Sequence, residues 1–314
     1  MAWDGIFMKT VSRQKDTLMM DVVNCIEGTP HISTVPVEPG LTNAASEKNG
    51  ERLVGFNTEN EEINQTEFTQ PAMVAVCLMI TQELLMRGIR PEMTAGLSLG
   101  EYAAIATAGA FSMEDAVLLV RERGKLMQYT VPAGIGGMSA VLGMEAEKIE
   151  AVLQDIPGAM IANYNCPGQI VITGELTALE KAGAALKEAG AKRVLPLKVS
   201  GPFHSSLMEP AASKLKQELL KVTISDLQIP YISNVTAQKV TDKQEIAGLL
   251  CEGIHSSVHW EQSVRYMIRQ GVDTFVEIGP GRTLAGFMKK IDPAVTVKNV
   301  AVWEDVEKVV NELC

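Results

Sequence analysis

Between Pro71 and Gly88 apolar side chains fall on nearly every side of a helical turn, with Met73, Val74, Val76, Leu78, Met79, Leu84 and Leu85 all included. A helix apolar on most sides packs against a central sheet instead of lying on the surface. Pro71 has the fixed φ that suits a first helical position, so it is expected to open this helix. Pro91 then precedes a short apolar run, and an alanine-rich helical stretch from Tyr102 to Ala108 follows up to Gly109. Ser112 and Asp115, three residues apart, form an N-terminal capping pair for a helix running to about Tyr129. On that helix Ala116, Leu119, Val120, Arg123, Leu126 and Met127 share one face. Every member is apolar except Arg123, while Arg121, Glu122 and Lys125 point elsewhere as a solvated face.

From Gly134 to Lys198 the pattern changes to short apolar runs alternating with amphipathic ones. It predicts strands at Met138–Leu142, Ile161–Tyr164, Ile170–Gly174 and Arg193–Val199, with helices at Ala146–Leu153 and Leu176–Ala189. A β-α-β-β-α-β order of that length is expected to be a ferredoxin-like insert, over residues 133–199. Further buried strands are expected at Gln228–Val235 and Val272–Ile278, then a helix from Arg282 to about Ile291 and a short amphipathic one at Glu304–Leu313. Residues 1–43 form an atypical N-terminal segment with no strong strand, a helical stretch at Asp16–Cys25 and a proline-rich loop from Gly28 to Gly40.

Composition narrows the class. Of 314 residues 46% are hydrophobic, 21% charged and 5% aromatic, which describes an alanine- and leucine-rich α/β protein large enough for one big domain with an inserted smaller one. The formal charge of −10 argues against nucleic acid as a partner. An anionic partner would need a local basic patch, for which Lys192, Arg193, Lys198, Arg282, Lys289 and Lys290 are candidates. Cys25, Cys77, Cys166, Cys251 and Cys314 are scattered and unpaired in spacing, as reduced cytosolic thiols are, so neither a disulfide framework nor a zinc site is expected. Met73–Ile80 is soon interrupted by Gln82, Glu83 and Arg87, so no membrane span is expected, and no signal peptide is expected either. A cytoplasmic protein without a membrane partner is the simplest reading.

The chemistry gathers around Gly96-Leu97-Ser98-Leu99-Gly100, the G-x-S-x-G form in which a serine sits on a sharp strand-to-helix turn. Glycines at its first and last places leave room where strand end and helix start press together. The Leu99 amide, at the positive end of the new helix, can face an oxyanion. An ordinary strand–turn–helix with a serine cap gives the same pentapeptide. A serine nucleophile needs a base, and His204, after a strand end in Ser200-Gly201-Pro202-Phe203-His204-Ser205, is the one histidine well placed for it. No Asp or Glu stands at an equivalent strand end, so a dyad with the imidazole oriented by a backbone carbonyl is expected. Arg123, a guanidinium on an apolar stripe, requires an anionic partner, either a protein carboxylate or that of a ligand.

These motifs resemble those of bacterial malonyl-CoA:acyl-carrier-protein transacylases. The resemblance rests on Gly96–Tyr102, Arg123-Gly124-Lys125-Leu126-Met127-Gln128, Asn163–Gln169, Gly201–Ser205, Glu277–Gly281 and Asn64–Pro71, in that family's order over residues 44–303. It implies an α/β-hydrolase-like large domain with a parallel central sheet, residues 44–132 and 200–314, carrying the insert. It implies malonyl transfer from malonyl-CoA to the phosphopantetheine thiol of acyl carrier protein, in fatty acid biosynthesis, with no cofactor and no metal. By motif position Ser98 would be the nucleophile, His204 the base, Arg123 the carboxylate clamp, Leu99 an oxyanion donor and Phe203 a mark of malonyl selectivity. The family's opening strand and Gly-Gln-Gly-x-Gln, source of a second oxyanion amide, have no match in residues 1–43, which would leave a sheet edge uncovered. Where the family has glutamine, seven residues before Trp260, this chain has Gly253. Two other readings remain open on the residues: a non-turning-over binder of acyl carrier protein or CoA, and an acyl-thioester hydrolase.

Overall fold

A computed structural model describes residues 6–10, 46–48, 51–53 and 61–314. In chain order the strands and helices are β1 (Ile6–Thr10), β2 (Ser46–Lys48), β3 (Glu51–Leu53), α1 (Thr66–Met86), β4 (Pro91–Gly96), α2 (Gly100–Thr107) and α3 (Met113–Tyr129). Then come β5 (Gly136–Leu142), α4 (Ala146–Leu153), β6 (Ala159–Cys166), β7 (Gln169–Glu175), α5 (Leu176–Glu188) and β8 (Arg193–Pro196). The chain continues through α6 (Glu209–Leu219), β9 (Tyr231–Ile232), β10 (Lys239–Val240), α7 (Lys243–Gly253), α8 (Trp260–Arg269), β11 (Thr274–Ile278), α9 (Thr283–Ile291), β12 (Thr296–Val300) and α10 (Glu304–Leu313).

The larger sheet runs β10-β9-β4-β1-β11-β12. Its pairs β4–β9 and β11–β12 are parallel, whereas β1 is antiparallel to both β4 and β11, and β10 to β9. Two expectations are corrected here. The sheet is mixed instead of parallel, and residues 1–43 do contain a strand: Ile6–Thr10 lies between β4 and β11, so neither of those edges is left open. The run Ile6-Phe7-Met8 is short and carries no polar alternation, so periodicity did not set it apart. The helical stretch and loop expected at Asp16–Cys25 and Gly28–Gly40 lie outside the described residues.

One core packs Val74, Leu78, Leu84, Ile105, Leu119 and Leu215 on one side of this sheet, and a second packs Trp260, Phe275, Leu284 and Met288 on the other. Helix α1 starts at Thr66, one turn before Pro71, which lies inside it and not at its first position. Gln65, in extended backbone, precedes the first turn, and its carbonyl accepts from Phe68 and Thr69. By length and composition alone α1, with 21 residues and an 18-residue window of mean hydropathy 1.3, could cross a membrane, and half of that window is buried inside the protein. Its composition follows from burial on several sides, against α3, α2 and the sheet. The capping pair of α3 is present: the Ser112 hydroxyl accepts from the Asp115 amide at 3.0 Å.

The smaller sheet is antiparallel with order β6-β7-β5-β8, and α4 and α5 cover it over Val141, Ile149, Ile172, Ala182 and Leu186. All its elements were expected; β8 is shorter, ending at Pro196, beyond which the Leu197 amide still donates to the Met138 carbonyl at 2.9 Å. It is tied to the larger unit where Val258 bonds Ala162 and Tyr164 through main-chain atoms and where His259 stacks on Tyr164 at 4.9 Å. The strand expected at Gln228–Val235 is reduced to Tyr231–Ile232, because Pro230 precedes it and Asn234 turns away towards Glu101. In the Glu277–Gly281 segment the buried Glu277 carboxylate accepts the Leu284 and Ala285 amides, capping α9.

Candidate active site

Strand β4 delivers the chain to the bend at its C-terminal end. A Cβ on Gly96 would lie 1.9 Å from the Gly100 carbonyl carbon, so strand end and helix start can touch only with glycine there. The Thr94 hydroxyl donates to the Ala104 carbonyl at 2.9 Å and locks strand to helix. Between them Ser98 adopts φ 51°, a left-handed conformation unusual for a residue with a Cβ. Its hydroxyl thereby leaves the turn and reaches His204, with Oγ and Nε2 2.7 Å apart. These residues are 106 positions apart in the chain.

His204 sits in its own tight bend with φ 58°, where the Ser205 hydroxyl donates to the Pro202 carbonyl at 2.6 Å. Its Nδ1 faces two carbonyls, Gly253 at 2.8 Å and Ser256 at 3.2 Å. Carbonyls only accept, so Nδ1 carries the proton and Nε2 is left as the acceptor facing the serine. Burial pulls the imidazole down to about 4, the Arg123 charge adds to this, and the Gly253 and Ser256 carbonyls oppose it. The ring is therefore neutral at pH 7 and able to take a proton. The two residues expected as a dyad are thus brought together, with the imidazole facing backbone carbonyls, and Gly253 makes its contact with its main chain alone.

Arg123 projects from α3 into the same place and is 3% exposed. It donates from Nη2 to Ser98 Oγ and from Nη1 to Gln70 Oε1, each at 2.9 Å, and lies 5.2 Å from the centre of the Tyr102 ring. Among the described residues no carboxylate forms an ion pair with it. Among the described residues its hydrogen bonds thus go to neutral groups, a hydroxyl and a carboxamide, with no ion pair. The small cavity here is lined by Ser98, Glu101, Arg123, His204, Asn234 and Gly253 among others.

Of the remaining predicted residues, Leu99 has a buried side chain, and its amide, between the bend and α2, is engaged by no other described residue. Phe203 is partly buried against Met138, Ala162 and Val171 and does not line the cavity. The sequence position of the second oxyanion amide falls outside the described residues. Sequence reasoning missed Gln70, Glu101 and Asn234 as parts of the site. Glu101 alone gave a signal, a charged residue opening an otherwise apolar, alanine-rich helix. It is buried, and its carboxyl is pushed up to about 8 by desolvation, against the opposing Asn234 amide bond and Arg123 charge.

Ser98 thus lies within hydrogen-bond reach of both His204 and Arg123, and similarity to known proteins says which family carries them. The acyl transferase domain family model matches residues 15–304, further towards the N-terminus than the motifs alone reach. The malonyl CoA-acyl carrier protein transacylase of Bacillus subtilis (strain 168) is 44% identical over 262 residues, 82% of this chain and 83% of that protein. The chain belongs to the malonyl-CoA:acyl-carrier-protein transacylase family of acyl transferases. Among solved structures, the malonyl CoA-acyl carrier protein transacylase of Clostridium perfringens shares 45% identity with a TM-score of 0.79, over 82% of each chain. A malonyl-transacylase solved in complex with a type II PKS acyl-carrier protein shares 38% identity with a TM-score of 0.79, over 83% of this chain and 85% of that one.

Proposed function

We propose that this chain transfers a malonyl group from malonyl-CoA to the phosphopantetheine thiol of acyl carrier protein through a malonyl ester of Ser98. The observation that carries the reading is the position of Ser98 Oγ between a proton acceptor, His204 Nε2 at 2.7 Å, and a cation, Arg123 Nη2 at 2.9 Å. His204 takes the hydroxyl proton as Oγ attacks the thioester carbonyl, and the Leu99 amide donates to the oxyanion of the tetrahedral intermediate. Collapse breaks the carbon–sulfur bond, and His204 returns the proton to the departing CoA sulfur. In the second half the carrier thiol gives its proton to His204, its sulfur attacks the ester, and Ser98 leaves with the proton. Arg123 binds the free carboxylate of the malonyl group through its planar fork, which supplies the anion its buried charge lacks.

The reading carries a fold assignment. The mixed sheet with its elbow serine is an α/β-hydrolase-like domain formed by residues 44–132 and 200–314, with β1 (Ile6–Thr10) added inside its sheet. The small sheet, with strand order β6-β7-β5-β8 and two helices on one face, is a ferredoxin-like insert at residues 133–199. The reaction requires no cofactor and runs in the cytoplasm on soluble substrates. Exposure to malonyl-CoA followed by intact-protein mass spectrometry tests it. The parent chain gains one malonyl group, and Ser98→Ala gains none; labelling that persists in Ser98→Ala overturns the assignment.

A further inference from the structure

The bend that presents Ser98 is held from outside by one side chain. Asn234, 2% exposed and 136 positions along the chain, accepts the Ser98 amide at its Oδ1 at 2.6 Å. Its Nδ2 donates to the Gly96 carbonyl at 2.6 Å. The two bonds fall on either side of the bend, so the carboxamide bridges the strand end and the serine across Leu97. Asn234 is fixed in turn, because its own amide donates to Glu101 Oε1 at 3.1 Å, on the first turn of the helix that the bend opens. Strand, bend and helix are thereby cross-linked through a loop that belongs to none of them.

Ser98 needs such a support. At φ 51° its Cβ crowds its own backbone, and a free strand-to-helix turn would relax towards the right-handed region. That rotation would carry Oγ away from His204 Nε2. The same bond also occupies the Ser98 amide, so that amide is not free to donate to a bound group.

We propose that Asn234 is a positioning residue for acyl transfer, which holds Ser98 in its left-handed backbone by bridging the Gly96 carbonyl and the Ser98 amide. The proposal rests on the acyl-transfer reading for its kinetic consequence but not for its structural one. Misplacement of a reacting atom by about 1 Å costs on the order of a hundredfold in rate. Asn234→Ala is therefore expected to lower kcat for malonyl transfer by about that factor, while KM for malonyl-CoA stays within about threefold because Arg123 and Gln70 are untouched. A folded Asn234→Ala with kcat within threefold of the parent overturns the proposal.

A second measurement needs no turnover. In a Ser98→Gly background the left-handed φ carries no Cβ penalty, so Asn234→Ala should lower the melting temperature less there than in the parent. Equal shifts in the two backgrounds overturn the proposal. If Asn234→Ala alone does not fold, the Ser98→Gly/Asn234→Ala chain decides: recovery of a cooperative transition supports the strut, and its absence overturns it. A parent chain that transfers no malonyl would sink the acyl-transfer reading and leave this thermal comparison intact.

Discussion

At the scale of single residues the site is a set of charges and dipoles held where water would otherwise screen them. Arg123 is the clearest case, since a buried guanidinium whose hydrogen bonds among the described residues go to neutral groups is tolerated poorly unless an anion completes it. Arg123→Ala is expected to reduce kcat/KM for malonyl-CoA by two orders of magnitude or more, since charge-assisted bidentate contacts to a carboxylate are strong. Transfer of an acetyl group, which has no free carboxylate, should persist or improve. Parallel assays with malonyl-CoA and acetyl-CoA check this, and equal losses on both would refute the clamp. Ser98 and His204 were legible as candidates from G-x-S-x-G and from a histidine after a Gly-Pro bend, and the fold brings them within 2.7 Å. Gln70 and Asn234 were not, because neutral amides near a site look like any surface amide until the fold buries them.

Elements matter here through the distances at which they cross. Helices α1 and α3 approach closely at Gly124, where a Cβ would lie 2.7 Å from the Thr66 carbonyl oxygen and 2.8 Å from Glu67 Cα. Gln70, which holds Arg123, lies one turn further along α1. Gly124→Ala must push the start of α1 away and is expected to cost about 1–3 kcal/mol, as overpacking does. Thermal unfolding reads that loss, and a fall in malonyl transfer beside it would show the displacement reaching the site. The sequence pattern reproduced α3, α4, α5 and α10 within a residue or two, since each has a one-sided apolar stripe or a cap. It misjudged β1 and the start of α1: one is a short apolar strand far from its partners in sequence, and the other carries Pro71 where tertiary burial overrides the local preference.

For the whole molecule, two buried groups tie stability to pH in opposite directions. The Glu101 carboxyl rises from 4.5 to about 8 on folding, so its contribution is full below pH 4.5 and is lost as pH rises through about 8. His204 falls from 6.5 to about 4, so its contribution is full above pH 6.5 and is lost as pH falls through about 4. The two offset one another between pH 4.5 and 6.5 and leave a net decline from pH 6.5 to about 8, at a limiting slope of about 1.4 kcal/mol per pH unit. Denaturation across that range should show Glu101→Gln losing less stability than the parent; parallel curves would contradict the buried-acid reading. What the sequence determined alone is local: the glycines that permit the bend, the cap of α3, the apolar stripes and the order of strands and helices in the small sheet, all of which depend on near neighbours in the chain. The mixed direction of the large sheet, the Nδ1 contact to Gly253, the cation left without a carboxylate and the Asn234 bridge were decided only by tertiary structure, because each joins groups dozens of residues or more apart that no periodicity connects.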